Sequence, residues 1–244
     1  MYADDTVLFA NSKENLQRCL DGLKEYCDKW KLQTNADKTK VVIFSKQKVK
    51  ADIVFRIGDK ELEIVEEFKY LGVTFKYNGN FNNNLEALKV QGNRAMYSVI
   101  KNARRNKLPI NLQFDMFDKM VMPVLLYGCE IWGYKNLGTL ENLHLKFCKL
   151  VMHLKTATPD VMVYGESGRF KVEYYAKIRI INFWSKIACG NRNKLSLMYN
   201  LCKQRHENEL PSSEWIVNLA LMLDSYDMDF IPDEVMYVSF FNYS

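Results

Sequence analysis

The stretch MYADDTVLFA, residues 1–10, sets two carboxylates, Asp4 and Asp5, side by side between apolar runs. Adjacent carboxylates repel one another and are costly to bury unless a cation neutralises them. The pattern admits two readings. One is a solvated polar turn. The other is a strand–turn–strand whose tip holds the oxygens on a rigid base, with Tyr2 on the same strand face as Asp4, an arrangement that suits Mg²⁺. The doublet alone does not choose between them.

Working outward from it, Leu16, Leu20, Leu23, Cys27 and Trp30 recur at steps of four, three, four and three, one face of a helix over Asn11–Trp30 with Asn11 or Ser12 as its cap. After LQTNADK come the β-rich runs KVVIFSK, DIVFRIGDKELEIV and FKYLGVTFKY, and the GDK inside the second reads as a hairpin turn. The asparagine-rich YNGNFNNN at 77–84 marks a loop and a domain boundary. Beyond it the periodicity turns helical. Leu85, Leu88, Gly92, Ala95, Val99 and Ala103 share one face, as do Leu140, Leu143, Phe147, Leu150 and Leu154, and further helices are expected at about 172–189, 196–207 and 213–224. Pro123 should kink or split the helix through FDMFDKMVMPVLLYG, and Gly92 should permit close helix packing.

The 244 residues, 48% of them apolar, suffice for a sizeable core, which excludes a disordered chain. No apolar run approaches the ~20 residues of a membrane span. The six cysteines form no CxxC pair and no secretory leader precedes Asp4, so reduced thiols and an intracellular, cytoplasmic or nuclear setting are expected. The net charge of +5 conceals an asymmetry. No Lys or Arg follows Arg205, while Glu207, Glu209, Glu214, Asp224, Asp227, Asp229, Asp233 and Glu234 do. The basic part can attract a polyanion that the acidic tail repels.

Taken in order, these segments resemble the reverse transcriptases of LINE-type (non-long-terminal-repeat) retrotransposons. YADDTVLFA is similar to their metal-binding palm hairpin, CDKWKLQTNADKTKVVIFSK to the next palm motif, and FKYLGVTF to the strand that grips the primer. MPVLLYGCEIWG and GESGRFKVEYYAKIRIINFWSKI resemble segments that follow the polymerase, so the likeness covers most of residues 1–190. It implies an α+β fold: a partial palm of a small antiparallel sheet and a helix at 1–77, an all-α thumb-like region at 78–135, and a C-terminal helical region with the acidic tail at 136–244. It also implies RNA-directed DNA synthesis by two-metal nucleotidyl transfer, with an RNA template, a DNA primer and deoxynucleoside triphosphates as partners.

The resemblance carries over residue by residue. Asp4 and Asp5 would hold Mg²⁺, with Asp4 the direct ligand. Lys38, in the Asn-x-x-Lys-Thr pattern Asn35–Thr39, would stabilise the leaving pyrophosphate. Asn35 itself reads as a turn former. Tyr70, Leu71 and Gly72 would lie along the primer, Gly72 admitting a close backbone. The basic helix 85–107, with Lys89, Arg94, Lys101, Arg104, Arg105 and Lys107 against Glu86, would track duplex phosphates. A Cys/His module is not expected: Cys129, His144, Cys148 and His153 lack paired-ligand spacing and read as packing residues. Trp132, Trp184 and Trp215 read as core.

The family's further palm aspartate, fingers and endonuclease are not matched in this sequence. Asp115 and Asp118 lie in a helical context and are poor substitutes for the aspartate. The expectation is therefore a C-terminal fragment that is inactive alone and holds Mg²⁺ weakly. Two alternatives stand beside it: a non-catalytic RNA- or DNA-binding remnant using the basic helix, and an unrelated helical scaffold.

Overall fold

The computed structural model describes residues 5–45, 53–189, 194–210 and 212–226. The chain divides into two compact units at Asn83/Asn84. Of the expected acidic tail, Asp227, Asp229, Asp233 and Glu234 lie outside the described residues.

The first unit is mixed α and β. Helix α1 (Lys13–Lys29) starts where the Ser12 hydroxyl accepts a hydrogen bond from Asn15 N, the usual way of satisfying an amide left free by the first turn. Its Leu16–Leu20–Leu23 stripe faces a small core of Leu20, Ala36, Val41, Phe55, Ile57 and Leu62. Trp30, which the periodicity placed on that stripe, instead stands at the helix C-cap, 61% exposed and tilted against Tyr26. Strands β1 (Lys40–Val41), β2 (Phe55–Ile57) and β3 (Lys60–Ile64) form a sheet in the order β1-β3-β2. Gly58 and Asp59 reverse the chain between β2 and β3. Gly58 takes a φ of 59° at the first turn position, where a Cβ would be strained.

The sheet is not the purely antiparallel one expected. The tight turn folds β3 back beside β2, and β1 then pairs with its other edge in parallel, Lys40 opposite Glu63 and Val41 opposite Ile64. The exposed edge of β2 is covered by a side chain. The Gln17 amide donates to Arg56 O at 2.8 Å and accepts from Arg56 N at 3.1 Å, so α1 fills the edge that another strand would otherwise seek. Strands β4 (Glu67–Tyr70) and β5 (Val73–Lys76) make a separate hairpin. Bonds from Val65 N to Val41 O, Tyr77 N to Glu66 O and Ser45 N to Tyr77 O tie its base to the segment that follows β1.

The second unit is helical throughout the described residues. Helix α2 (Asn82–Arg105) begins where the Asn80 side chain accepts from Asn82 N at 2.7 Å. There follow α3 (Ile110–Met120), α4 (Met122–Leu125), α5 (Cys129–Trp132), α6 (Gly138–Val151), α7 (Asp160–Ser167), α8 (Val172–Ala188), α9 (Lys194–Glu207) and α10 (Glu214–Asp224). Pro123 splits the expected long helix, sitting in the first turn of α4 where its missing N–H costs nothing. Its core holds Met96, Phe117, Leu125, Trp132, Leu140, Phe147 and Trp184, all fully buried. Gly92 is buried on the apolar face of α2. A Cβ there would lie 2.3 Å from Leu125 Cδ2, so α4 and α2 meet only because the residue is glycine. No described helix is long and apolar enough to cross a membrane.

Candidate functional site

Asp4 and Tyr2 lie outside the described residues, so the acidic doublet is represented by Asp5. Asp5 is an isolated bridge residue, exposed to solvent. The following residues 6–10, where the second strand of the expected strand–turn–strand would run, are not in a strand, and Phe9 is 85% exposed; the expected first strand lies outside the described residues. As chemistry, two adjacent carboxylates are hard oxygen donors that fit a divalent cation. As geometry, no group of three His, Cys, Asp or Glu side chains converges among the described residues.

The Lys38 loop is built by Asn35. The Asn35 carboxamide oxygen accepts from Lys38 N at 3.2 Å, and its backbone carbonyl accepts from Thr39 N at 3.0 Å and from the Thr39 hydroxyl at 2.8 Å. Ala36 plugs the turn into the core at 7% exposure. Lys38 is thereby held on a fixed turn, exposed, two residues before β1, and its ammonium has no partner among the described residues.

Tyr70, Leu71 and Gly72 are not a continuous strand. Tyr70 closes β4 opposite Val73, and Leu71 and Gly72 form the two-residue turn, with φ of 45° and 85°. Positive φ at both central positions is the pattern of turns whose twist matches that of the flanking strands. Gly72 is explained by this geometry. Leu71 is not, because a branched side chain in the left-handed region costs about 1–2 kcal/mol. The turn presents Leu71, 37% exposed, at its tip.

On α2 the cations separate into groups. At 100° per residue Arg94, Lys101 and Arg105 fall on one exposed stripe about 16 Å long. Arg104 is exposed beside it. Lys89 stands well off the stripe, half-buried and paired with Glu86 at 3.3 Å. The helix ends at Arg105, short of the expected 107, and Lys107 is the left-handed residue that turns the chain, with φ 50°. Tyr97 carries the Lys146 ammonium 5.2 Å from its ring centre.

The second unit also contains a polar network that linear reading missed. Arg169, 7% exposed, grips Asp118 with both terminal nitrogens, one at 3.1 Å, and donates from Nε to His144 Nε2 at 2.8 Å. Its guanidinium lies over Phe114 and Phe117, 5.0 and 5.7 Å from the ring centres. Glu141 accepts from the Tyr164 hydroxyl and from Val172 N at 2.6 Å, capping α8. His144 is fully buried and stacked on Phe117; burial holds its basicity below the ordinary value of 6.5, against the opposing pull of the Glu141 carboxylate 3.6 Å from Nδ1. Burial also pushes the Cys129 thiol up to about 12 and the Cys148 thiol up to about 11. These three are packing residues, while His153 is exposed. Asp118 is engaged by Arg169. Trp132 and Trp184 are core, and half-buried Trp215 donates to Glu130 O at 2.8 Å. The one trace of this network in the sequence is the polar cluster GESGR set before an apolar-periodic helix, and it does not reveal partners 25 and 51 residues away.

Comparison with known proteins adds what geometry alone does not. The family model for reverse transcriptase (RNA-dependent DNA polymerase) matches residues 1–75, a span that includes Asp4, Asp5, Lys38 and the Tyr70–Gly72 turn. The chain is 24% identical over 166 residues to the RNA-directed DNA polymerase from mobile element jockey of Drosophila melanogaster, covering 64% of this chain and 18% of that protein. It is 28% identical over 195 residues to a putative transposon-derived protein of Caenorhabditis elegans, covering 78% of this chain and 68% of that one. The Pol polyprotein from the type-1 retrotransposable element R2 of Popillia japonica is 26% identical over 173 residues, covering 67% of this chain and 35% of the polyprotein. No solved structure matches. The chain thus spans about a fifth of the jockey polymerase, and nothing in these similarities favours an unrelated helical scaffold.

Proposed function

We infer that this chain, which belongs to the reverse transcriptases of non-long-terminal-repeat retrotransposons, supplies part of the site for RNA-directed DNA synthesis on a primed RNA template. The family implies use of a divalent metal, and the hard donor pair Asp4 and Asp5 suits Mg²⁺. When bound, Mg²⁺ supplies Lewis-acid activation of the primer hydroxyl and charge neutralisation at the triphosphate. Lys38 would meet the leaving pyrophosphate, where a cation on a fixed turn stabilises developing charge without reorganising. Tyr70, Leu71 and Gly72 would rest the hairpin tip on the primer strand. Arg94, Lys101, Arg104 and Arg105 would follow the duplex phosphates, with Lys89 and Lys107 at the margins.

The observation that carries this reading is the match over residues 1–75, coupled with a turn that Asn35 closes and that leaves the Lys38 ammonium without a partner among the described residues. Two carboxylates leave a pair of ions under-ligated, so the chain by itself is expected to bind primed template without extending it. Gel retardation of an RNA–DNA duplex checks the binding, with affinity falling steeply as salt rises. Replacing Arg94, Lys101 and Arg105 by Ala should flatten the salt slope by about 3, near 1 per phosphate contact. Absence of retardation at low salt overturns the reading. Extension of the primer with Mg²⁺ and deoxynucleotides, abolished by Asp4→Ala, overturns the expected inactivity alone.

A further inference from the structure

A groove of about 510 Å³ opens between α5 and α8 and is lined by Glu130, Ile131, Arg179, Asn182, Phe183 and Lys186, none of which is among the residues assigned to the polymerase site above. Its volume falls within the range of small-ligand sites. The four residues from α8 are spaced i, i+3, i+4 and i+7, so they form one continuous face, with Arg179 and Lys186 about 10 Å apart along the axis. Gly133 lets the α5 wall come close: a Cβ there would lie 3.3 Å from the Ala176 Cβ on α8.

The lining is chemically specific. Arg179 is anchored by donation from Nη1 to Leu126 O at 3.1 Å, which fixes a cation at one end. Lys186 at the other end is exposed and has no partner among the described residues. The half-buried Asn182, between the two cations on α8, and Glu130, on the α5 wall, likewise have no side-chain partner among the described residues. Phe183 is half-buried and braced edge-on by Trp215 at 6.4 Å and 82°. Trp215 is itself pinned to the Glu130 carbonyl.

We propose that this groove holds one unpaired nucleotide of an RNA strand: phosphates on either side at Arg179 and Lys186, the base against Phe183 with its edge on Asn182, and the ribose 2′-hydroxyl donating to Glu130. The carboxylate disfavours a third phosphate and provides an acceptor for a 2′-hydroxyl, the donor that DNA lacks. Base stacking on an aromatic ring is tolerant of sequence, so the site grips an unpaired strand without reading it. The inference rests on the reading of the chain as an RNA-handling polymerase component, yet it uses none of the residues on which that reading depends.

The test uses the full chain and a ten-residue oligouridylate carrying one 4-thiouridine, with photo-crosslinked peptides mapped by mass spectrometry and affinity measured by anisotropy. Crosslinks are expected in the peptides bearing Glu130–Ile131 and Arg179–Lys186. Phe183→Ala should weaken binding about tenfold, the loss of one stacked base, and an oligomer abasic at every position should do the same. Phe183 touches the core around Trp184, so Lys186→Glu, at an exposed position, provides a second variant; it should weaken RNA binding and leave the circular dichroism spectrum unchanged. Crosslinks elsewhere with unchanged affinity in both variants overturn the proposal, as does equal affinity for the matching DNA or full competition by free uridine monophosphate. Failure of the polymerase reading is a separate result, scored by duplex retardation in the Arg94, Lys101 and Arg105 variants.

Discussion

Replacing Asp118 by Ala should destabilise the helical unit by about 2–4 kcal/mol, although the Asp118 side chain is 43% exposed and its ion pair would ordinarily pass for a surface one. Exposed pairs contribute about 0–1 kcal/mol. The difference lies in the partner. Arg169 is 7% exposed and sandwiched against Phe114 and Phe117, so it cannot turn outward to recover water when the carboxylate is removed. Breaking a buried pair by deleting one member costs about 3–5 kcal/mol, and the partial opening at Asp118 lets some water reach the guanidinium, which lowers the figure. Urea denaturation followed by tryptophan fluorescence is suited to this question. Trp132 and Trp184 are fully buried in the unit concerned, whereas Trp30, in the other unit, is already exposed. With a slope of about 2 kcal/mol/M the midpoint should fall by about 1–2 M. Arg169→Met, which removes the buried charge and keeps the apolar stem, should cost less than Asp118→Ala. A loss below about 0.5 kcal/mol for Asp118→Ala, or the reverse order of the two variants, refutes the argument that the cost sits on the buried guanidinium.

Three further outcomes follow from single contacts. Gly92→Ala should cost about 1–3 kcal/mol by overpacking against Leu125, and the cost should shrink in a Leu125→Ala background, because the two changes share one space; thermal unfolding of the four proteins measures this coupling. Leu71→Gly should stabilise the first unit by about 1 kcal/mol by relieving the left-handed φ, while Gly72→Ala at φ 85° should destabilise it, both read from amide exchange in the hairpin. For His144, burial lowers the folded value below 6.5, so the unfolded chain takes up the proton first. Stability is then complete above about pH 6.5 and declines as pH falls toward the lowered value, and His144→Gln should remove that part of the slope in denaturation curves recorded between pH 5 and 8.

What the sequence disclosed depended on whether the determining interaction was local. The α1 stripe of Leu16, Leu20 and Leu23 and the Gly58 turn were legible because each rests on spacing or on one residue's backbone freedom. The Leu71–Gly72 turn was hidden because leucine seldom adopts positive φ, so YLG reads as strand. The parallel pairing of β1 with β3 was hidden for another reason: two residues of β1 carry no directional signal, and only the reversal at Gly58 determines which neighbour they find. Trp30 followed the helical period but fell at the cap, where the last turn no longer faces the core.

The same distinction governs the candidate site. Asn35 was recognisable as a turn former because its bonds reach only three and four residues ahead, and that locality is what lets the loop hold Lys38 in place regardless of the rest of the unit. The cations of α2 were recognisable as a set but not as a surface. Periodicity at 100° per residue already puts Lys89 apart from Arg94, Lys101 and Arg105, and the Glu86 pair then partly neutralises it. A phosphate-tracking face therefore reduces to the stripe cations and their neighbour Arg104. This makes the order of effects testable: Lys89→Ala should change duplex affinity less than any one of the stripe variants, and an equal or larger loss for Lys89→Ala would mean that the nucleic acid approaches α2 from a different side.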